Sequence, residues 1–306
     1  MLRSFALLLF LMLAFPPAVS ACDGRLVSDA ILGPPVCIPR QPQRIVALDP
    51  LLTLGILQEL EVPIVATPYA GIQGLEVRKA AQAASVADLG HPLQPSLERL
   101  LLAKPDLIIG SADMHGAIHE TVSRIAPTLL LQHMDWKRHV MLLAEITGRS
   151  DAGLTALRGY EQRVAGIRAR VPNLAVSVAR VRPGGFNIYL DGPAAYAPYA
   201  VLREAGVRRT AYETTTGNTV AKRADWEEVA ALDGAILLYT VVSGLDPGPD
   251  EALAASTVAN PLWQMLPAVR TGRAHRVDRG TWMGFHGVAS AHRVLDDIER
   301  LILTTP

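Results

Sequence analysis

Short apolar runs alternate with amphipathic segments along almost the whole of this chain. From residue 44 onward the runs are RIVALD (44–49), PIVATPY (63–69), SVADLG (85–90), DLIIGS (106–111) and TLLLQH (128–133). Runs of this length and composition are typical of buried strands. Segments with helical spacing of apolar residues lie between them, at 51–59 and 95–104. The alternation predicts a parallel sheet that is covered by helices on both faces.

The same alternation returns after a long segment without proline at 151–171, from which we predict a connecting helix with bounds 149–172. The later apolar runs are AVSVARV (175–181), FNIYLDG (186–192), AILLYTVV (235–242) and AHRVD (274–278), with helices predicted near 197–205, 226–231 and 288–303. We therefore predict an α/β fold with two lobes, each a mainly parallel sheet flanked by helices. The first lobe spans 44–148, the second spans 173–306, and one long helix joins them. The default ligand site in such a fold is a cleft between the lobes.

The N-terminus has the pattern of a secretory signal peptide over residues 1–21. Arg3 precedes an apolar run at 5–15, which is followed by two prolines and the small-residue segment 19–21. The run is too short to cross a bilayer as a helix. The pattern predicts export, and hence a periplasmic location.

The two cysteines, Cys22 and Cys37, lie in a predicted N-terminal hairpin segment at 22–43. A Gly-Pro-Pro turn at 33–35 could bring them together, and a disulfide between them would be stable in an oxidising compartment. The alternative is lipid anchoring at Cys22, because residues 19–22 loosely fit the box that precedes a lipidated cysteine. We favour the disulfide, since lipidation would leave Cys37 as an odd thiol.

Composition and motifs exclude several function classes. The chain has 29 Lys+Arg and 29 Asp+Glu with no basic run, so it lacks the cationic footprint of a nucleic-acid-binding protein. It also lacks the G-x-S-x-G, HExxH and P-loop strings of common hydrolases, metalloproteases and nucleotide-binding enzymes. We expect a binding protein that captures its ligand stoichiometrically, rather than an enzyme, and that has no cofactor of its own.

Four segments together resemble the periplasmic ferric-siderophore and cobalamin binding proteins of ABC importers. They are PQRIVALDPLLTLGILQEL (42–60), LERLLLAKPDLIIGS (97–111), NPLWQMLPAVRTGRAHRVD (260–278) and ASAHRVLDDIERLI (289–302). The resemblance implies a rigid bilobed protein that closes little on binding. It further implies capture of a bulky metal chelate, here an iron(III)–siderophore complex, and its delivery to an inner-membrane permease. Cobalamin and haem are the alternative ligands within the same fold, and we expect a monomer.

The resemblance also assigns roles to two acidic residues, Glu98 and Glu227. In the family, an acid at this place in each lobe docks onto arginines of the permease, and both positions match here. Each glutamate is expected in the first turn of a helix that precedes a strand. The structural alternative is that both complement helix dipoles, and Glu228 could replace Glu227 in the register.

Polar and aromatic residues that follow the predicted strands are the candidates for ligand binding. They are Tyr69, His91, Met114 and His115 in the first lobe, and Arg180, Arg182, Tyr239, Trp282 and His286 in the second. The arginines are the most informative, because guanidinium groups pair with the carboxylate or catecholate oxygens of an anionic chelate. Strand alternation places Arg180 and Arg182 on one face.

Direct binding of bare zinc or manganese is the remaining alternative. Such a site needs three or four converging His, Asp or Glu ligands. Only His115 and His119 show a suggestive i, i+4 spacing, and no His-rich loop accompanies them. We therefore predict no metal site of the protein's own.

Overall fold

A computed structural model describes residues 22–72, 75–244 and 246–304, so the predicted signal peptide lies outside the described residues. In chain order the strands are β1 (Arg25–Val27), β2 (Val36–Ile38), β3 (Ile45–Ala47), β4 (Ile64–Thr67), β5 (Ala87–Asp88), β6 (Gly90–His91), β7 (Gln94–Pro95), β8 (Leu107–Ser111), β9 (Thr128–Leu131), β10 (Ala175–Arg182), β11 (Gly185–Tyr189), β12 (Arg208–Arg209), β13 (Ala221–Ala224), β14 (Ile236–Val241) and β15 (Ala274–Arg276).

Helices cover both main sheets. They are α1 (Leu52–Glu59), α2 (Leu75–Ala83), α3 (Leu97–Leu102), α4 (Ala112–His115), α5 (His119–Ser123), α6 (Trp136–Ile146), α7 (Ser150–Arg168), α8 (Ala197–Glu204), α9 (Asp250–Ala259), α10 (Pro261–Gln264), α11 (Pro267–Arg270), α12 (Arg279–Met283) and α13 (Val288–Leu301). Short 3₁₀ turns occupy Tyr69–Gly71, Gly116–Ile118, Ala211–Glu213 and Val229–Ala231. No helix in the described part of the chain is long and apolar enough to span a membrane.

The first lobe is built on a five-stranded sheet in the order β5-β4-β3-β8-β9, and every pairing in it is parallel. All four residues of β9 and all three of β3 are buried, as expected for strands covered on both faces. The carboxyl ends of β3, β8 and β9 therefore open onto one edge of the sheet. This arrangement confirms the predicted α/β architecture of the lobe.

The second sheet is mixed rather than uniformly parallel. Strands β12, β14 and β15 run parallel to their neighbours, whereas β11 pairs antiparallel with both β10 and β13. The reason lies in the two-residue connection Pro183–Gly184, across which Arg182 pairs with Gly185. Gly184 has a φ of 77°, which only glycine adopts readily, so the chain reverses in a tight hairpin. The sheet that was predicted as mainly parallel therefore contains an antiparallel strand, β11, at this place.

One long helix, α7, joins the lobes, close to the predicted span of 149–172. Its residues Leu157, Tyr160, Val164 and Ile167 are buried. They belong to a large apolar cluster that contains core residues of both sheets. Two smaller clusters of described residues are each confined to one lobe. The two lobes consequently share a continuous core along the connecting helix.

The N-terminal hairpin of β1 and β2 is closed by a disulfide between Cys22 and Cys37, with the two Cα atoms 5.7 Å apart. The predicted bond is thus present. The hairpin's tip extends the first sheet, because Ile31 bridges antiparallel to Leu131 at the edge of β9. The N-terminal segment therefore pairs with β9, whose last residue, Leu131, lines the cleft between the lobes.

One predicted helix is mostly absent. The sequence suggested a helix over 226–231, but only a 3₁₀ turn at Val229–Ala231 forms. The Asp225 carboxylate accepts the N–H of Glu227 at 2.9 Å, and this local turn competes with a helical start. The expectation that Glu227 lies in a helix's first turn is therefore wrong, whereas Glu98 does lie in the first turn of α3.

Candidate functional site

A cavity of about 460 Å³ lies between the lobes, within the size range of small-molecule sites. The first lobe supplies the chain segments that follow β3, β8 and β9, and the second supplies the segment after β11, helix α8 and Phe285. The lining residues are Asp49, Leu51, Leu52, Ser111, Asp113, Met114, Leu131, Gln132, His133, Met134, Asp135, Trp136, His139, Pro193, Ala194, Ala195, Tyr196, Ala197, Ala200, Arg203, Glu204 and Phe285. The cleft thus lies at strand ends in the first lobe, as predicted for this fold.

Asp49 forms part of the cavity floor directly after β3. It is only 6% exposed, and its carboxylate accepts the N–H groups of Leu51 (2.9 Å) and Thr53 (3.0 Å) at the start of α1. An acid at the N-terminus of a helix satisfies free N–H groups and complements the helix dipole. The buried carboxylate is therefore held by the backbone, which fixes the floor in place.

Aromatic side chains from the two lobes meet at the cavity wall. The Trp136 ring, at the start of α6, contacts the Phe285 ring from the second lobe at a centroid distance of 5.5 Å. Trp136 also packs edge-on against Tyr160 of the connecting helix at 5.0 Å. Tyr196 lies on the second-lobe side, where its hydroxyl donates to the carbonyl of Met283 at 3.3 Å. Together these rings give the cleft a broad apolar surface.

The second sheet presents a row of polar side chains that crosses four strands. Arg223 pairs with Asn187, Asn187 with Arg180, and Arg180 with Thr240 in register. Register partners on adjacent strands project from the same face of a sheet. We call these four residues, together with Arg182 two positions after Arg180, the arginine row.

The guanidinium groups of the arginine row have no carboxylate within 4.0 Å among the described residues. Arg180 donates from Nη1 to the Tyr189 hydroxyl at 3.4 Å. Its buried Nε and the buried Thr240 hydroxyl have no hydrogen-bond partner in the part of the chain that the structure describes. Arg182 donates to Asn187 Oδ1 at 3.1 Å. Buried polar atoms are normally satisfied, so the unpartnered atoms on Arg180 and Thr240 mark a place where a ligand or water could bind.

The arginine row adjoins the cavity through a group of tyrosines. The Tyr189 ring lies 5.4 Å from that of Tyr196, which lines the cavity, and 4.8 Å from that of Tyr199, on which it stacks. Burial raises the pKa of the Tyr196 and Tyr199 hydroxyls, so both stay protonated. The structure thus places Arg180 next to neutral hydrogen-bonding groups rather than beside an anion.

The structure separates the nine predicted ligand residues into three groups. Met114 lines the cavity, and Arg180 and Arg182 belong to the arginine row. Two others lie away from the cleft. Tyr69 donates its hydroxyl to the carbonyl of Val86 at 2.8 Å, and exposed His91 accepts a hydrogen bond within the turn between β6 and β7.

The remaining four are buried and do not line the cavity. His115 accepts from the N–H of Ser111 (3.0 Å) and contacts the carbonyl of Pro92 (3.2 Å), and burial lowers its pKa. Tyr239 packs edge-on against Trp263, on the sheet face opposite to Arg180. Trp282 and His286 are likewise buried, and neither lines the cavity.

The histidine pair that suggested a metal site is not assembled as one. Both ring nitrogens of His115 are engaged by the backbone, at Ser111 and Pro92. Within residues 22–72, 75–244 and 246–304, no group of three or more His, Cys, Asp or Glu side chains could hold a metal ion.

Sequence reasoning missed Arg223, Tyr189 and Tyr196. Arg223 lies in β13, a four-residue strand that has no apolar run and so gives no strand signal. Tyr189, Tyr196 and Tyr199 lie close together in the segment that follows β10, and this local enrichment in tyrosine could have marked the cleft side of the second lobe. Arg223 could be found only from the strand pairing.

Both predicted docking glutamates are exposed and unpaired. No Lys, Arg or His nitrogen of the described residues lies within 4.0 Å of the carboxylate of Glu98 or Glu227. Glu228, by contrast, accepts a hydrogen bond from the Tyr212 hydroxyl at 3.1 Å, and burial together with this bond raises the pKa of Tyr212 to about 12. Of the two neighbouring acids, Glu227 is the one that is free to bind a partner.

Comparison with known proteins gives a consistent result. A family model described as "Periplasmic binding protein" matches residues 45–278. The chain is 28% identical to the probable siderophore-binding lipoprotein YfiY of Bacillus subtilis, covering 94% of this chain and 90% of that protein. It is 27% identical to the achromobactin-binding periplasmic protein of Dickeya dadantii, covering 71% and 72%.

Solved structures share the fold at lower identity. Staphylococcus aureus SirA complexed with staphyloferrin B superposes with a TM-score of 0.75 at 19% identity, covering 90% of this chain and 97% of that one. Bacillus subtilis FeuA complexed with ferri-bacillibactin also has a TM-score of 0.75, at 17% identity, covering 91% and 98%.

Proposed function

Because the chain belongs to the periplasmic binding protein family, we propose that it captures an iron(III)–siderophore complex and delivers it to an ABC permease in the inner membrane. Several relatives are named for ferric chelates, including the Fe(3+) dicitrate-binding periplasmic protein FecB of Escherichia coli. The observation that carries the proposal in this chain is the arginine row, whose guanidinium groups have no carboxylate within 4.0 Å among the described residues. Arg180 of this row contacts Tyr189, whose ring packs beside the cavity-lining Tyr196. The protein binds its ligand stoichiometrically and does not transform it.

The arginine row favours an anionic chelate. Guanidinium groups donate two parallel hydrogen bonds to carboxylate or catecholate oxygens, and they lose less hydration on burial than an ammonium group. The partly buried Arg180 can therefore pair with the ligand's charge, while Trp136, Tyr196 and Phe285 contact its apolar parts. Four carboxylates also line the cavity, but Asp49 and Asp135 are held by helix N-termini and Glu204 pairs with Lys137 at 2.6 Å.

Fluorescence of the purified mature protein tests the proposal directly, since Trp136 lines the cavity. The panel contains ferric hydroxamates, ferric catecholates, ferric citrate, haem, cobalamin, and free zinc and manganese. Saturable quenching by a ferric chelate, and not by its iron-free form, is the expected result. A response to haem, cobalamin or a bare metal alone would contradict the siderophore assignment and leave the fold unaffected.

Charge-neutral variants test the role of the arginine row. Arg180→Gln and Arg223→Gln should weaken binding of the quenching chelate, and the loss should be greatest at low salt, where screening is least. Arg158→Gln on the exposed face of α7 is the matched control, because Arg158 lies on the connecting helix and does not line the cavity. An equal loss at every salt concentration would count against charge pairing.

Glu98 and Glu227 are proposed to dock onto cationic groups of the permease, one in each lobe. Glu98→Gln and Glu227→Gln should leave chelate binding unchanged and abolish uptake, since neither carboxylate forms an ion pair with any of the described residues. Loss of binding itself would contradict the docking role.

We further propose that the protein acts as a monomer in the periplasm after removal of residues 1–21. The Cys22–Cys37 disulfide agrees with an oxidising compartment and occupies the sulfur that a lipid would need.

A further inference from the structure

Exposed large apolar side chains are concentrated at two places on this molecule. Ten described residues of this kind are exposed, and seven of them fall into two groups. The first patch consists of Leu93, Leu97, Leu101 and Leu102, and the second patch consists of Val258, Leu262 and Met265. Scattered exposed apolar residues are ordinary, but contiguous groups mark interaction surfaces.

The first patch surrounds Glu98. Helix α3 buries Leu100 against the sheet and turns Leu97, Leu101 and Leu102 outward, with Leu101 58% and Leu102 71% exposed. Leu101 and Leu102 lie three and four residues after Glu98, so they share its face of the helix. The neighbouring Arg99 does not neutralise this face, because it donates to the carbonyl of Asp88 at 2.9 Å. The patch therefore combines apolar surface with one free negative charge.

The second patch lies beside Glu227. Trp226, which precedes that glutamate, and Trp263, which follows Leu262, both pack on the ring of Phe186, at 4.8 and 6.2 Å. Val258 joins the same surface, since Gln264 donates to its carbonyl at 2.7 Å, and Met265 is 69% exposed. The second lobe thus repeats the combination of the first, although its carboxylate lies in a bend that precedes the 3₁₀ turn Val229–Ala231 and not in a helix.

We propose that the first and second patches are the apolar contacts through which the permease binds the two lobes, with Glu98 and Glu227 aligning them. This inference rests on the docking role proposed for the two glutamates. On this proposal the permease has two contact sites, one for each lobe. Each site has apolar side chains around a guanidinium or ammonium group. A second copy of the chain fits poorly, because patches facing each other would bring free carboxylates together.

Neutral polar substitutions separate the apolar contribution from the charge. Leu101→Gln combined with Met265→Gln removes apolar surface from both patches while keeping both glutamates and the net charge. Leu154→Gln is the matched control, since Leu154 is 39% exposed on α7, outside both patches. All three positions are exposed, so the variants should fold and quench with ferric citrate or a ferric tris-catecholate as the unsubstituted protein does.

The readout is uptake of radioactive iron, given as each of these two chelates, by cells that lack their own copy of the gene. We expect uptake to fall at least tenfold with the double variant and to be unchanged with Leu154→Gln. Uptake by the double variant equal to that of the control would overturn this inference and leave the proposed function intact. If the unsubstituted protein neither binds nor transports either chelate, the proposed function and this inference both fail. Concentration-dependent dimerisation of the unsubstituted protein that the double variant abolishes would assign the patches to a second copy instead.

Discussion

His286 makes the stability of this protein sensitive to mild acid. The imidazole lies between α1 of the first lobe and the start of α13, is 1% exposed, and contacts the carbonyl of Leu51 through Nδ1 at 3.3 Å. A carbonyl can only accept, so Nδ1 carries the hydrogen. Nε2 is buried and has no hydrogen-bond partner among residues 22–72, 75–244 and 246–304, so a proton there would be a buried charge. Burial accordingly lowers the pKa of His286 to about 4.

The size of the effect follows from proton linkage. The unfolded chain binds a proton at this histidine below a pKa of 6.5, whereas the native state resists it down to about 4. Between these values the unfolded state holds more protons, so the stability that is present above pH 6.5 is lost as the pH falls. One pKa unit corresponds to about 1.4 kcal/mol, so the loss from His286 is roughly 1.4 kcal/mol at about pH 5.5 and roughly 3 kcal/mol at about pH 4. Burial lowers the pKa of His115 and His139 as well, which adds to this loss. Burial raises the pKa of Glu59 to about 7, so this carboxyl contributes with the opposite sign over the same range and reduces the total slope.

Urea unfolding followed by circular dichroism, at several pH values between neutrality and pH 4.5, measures this loss. The comparison is with His286→Asn, whose amide can donate to the Leu51 carbonyl but does not titrate. The variant is expected to be less stable at neutral pH because it leaves a cavity, yet to lose about 1.4 kcal/mol less than the unsubstituted protein by about pH 5.5. Parallel stability curves for the two proteins would refute the assignment of the acid sensitivity to this imidazole.

Three further predictions concern packing and covalent structure. Gly55→Ala should lower the melting temperature, since the new Cβ would lie 2.2 Å from the Cβ of His286 and overpacking costs about 1–3 kcal/mol. Gly159→Ala on α7, where nothing lies within 4 Å of the new Cβ, should instead raise the melting temperature. The opposite order of the two melting temperatures would contradict this packing. Replacing Cys22 and Cys37 by serine should lower the free energy of unfolding by about 3 kcal/mol, and an unchanged value in urea would show that the hairpin needs no covalent closure. Trp282→Phe removes a 2.8 Å hydrogen bond to a buried carboxylate and should cost about 1–3 kcal/mol in the same assay, whereas a neutral result would mean that water replaces the indole.

The alternation of apolar runs was sufficient to predict two α/β lobes, the long helix and most of the strands. These features depend on contacts between residues a few positions apart, which the spacing of apolar side chains records directly. The same alternation placed Arg180 and Arg182 on one face of β10, and their register with Asn187 and Gly185 agrees with this. The direction of β11 was missed because the turn at Gly184 depends on backbone conformation rather than on hydrophobic pattern.

The composition of the site, by contrast, was decided by long-range packing. Residues that follow a strand in sequence can face the cleft, the lobe's own core or the neighbouring helix, and local spacing does not distinguish these cases. Trp282 and His286 were therefore expected in the cleft but are buried and do not line it, and Tyr239 lies on the sheet face opposite to Arg180. Arg223 joined the arginine row only through the pairing of β13 with β11. The local spacing of apolar residues determines which helices and strands form. Strand register and the burial of distant side chains against each other determine which residues meet. The free energy of this packing is shared among segments far apart in sequence, so no single segment records it.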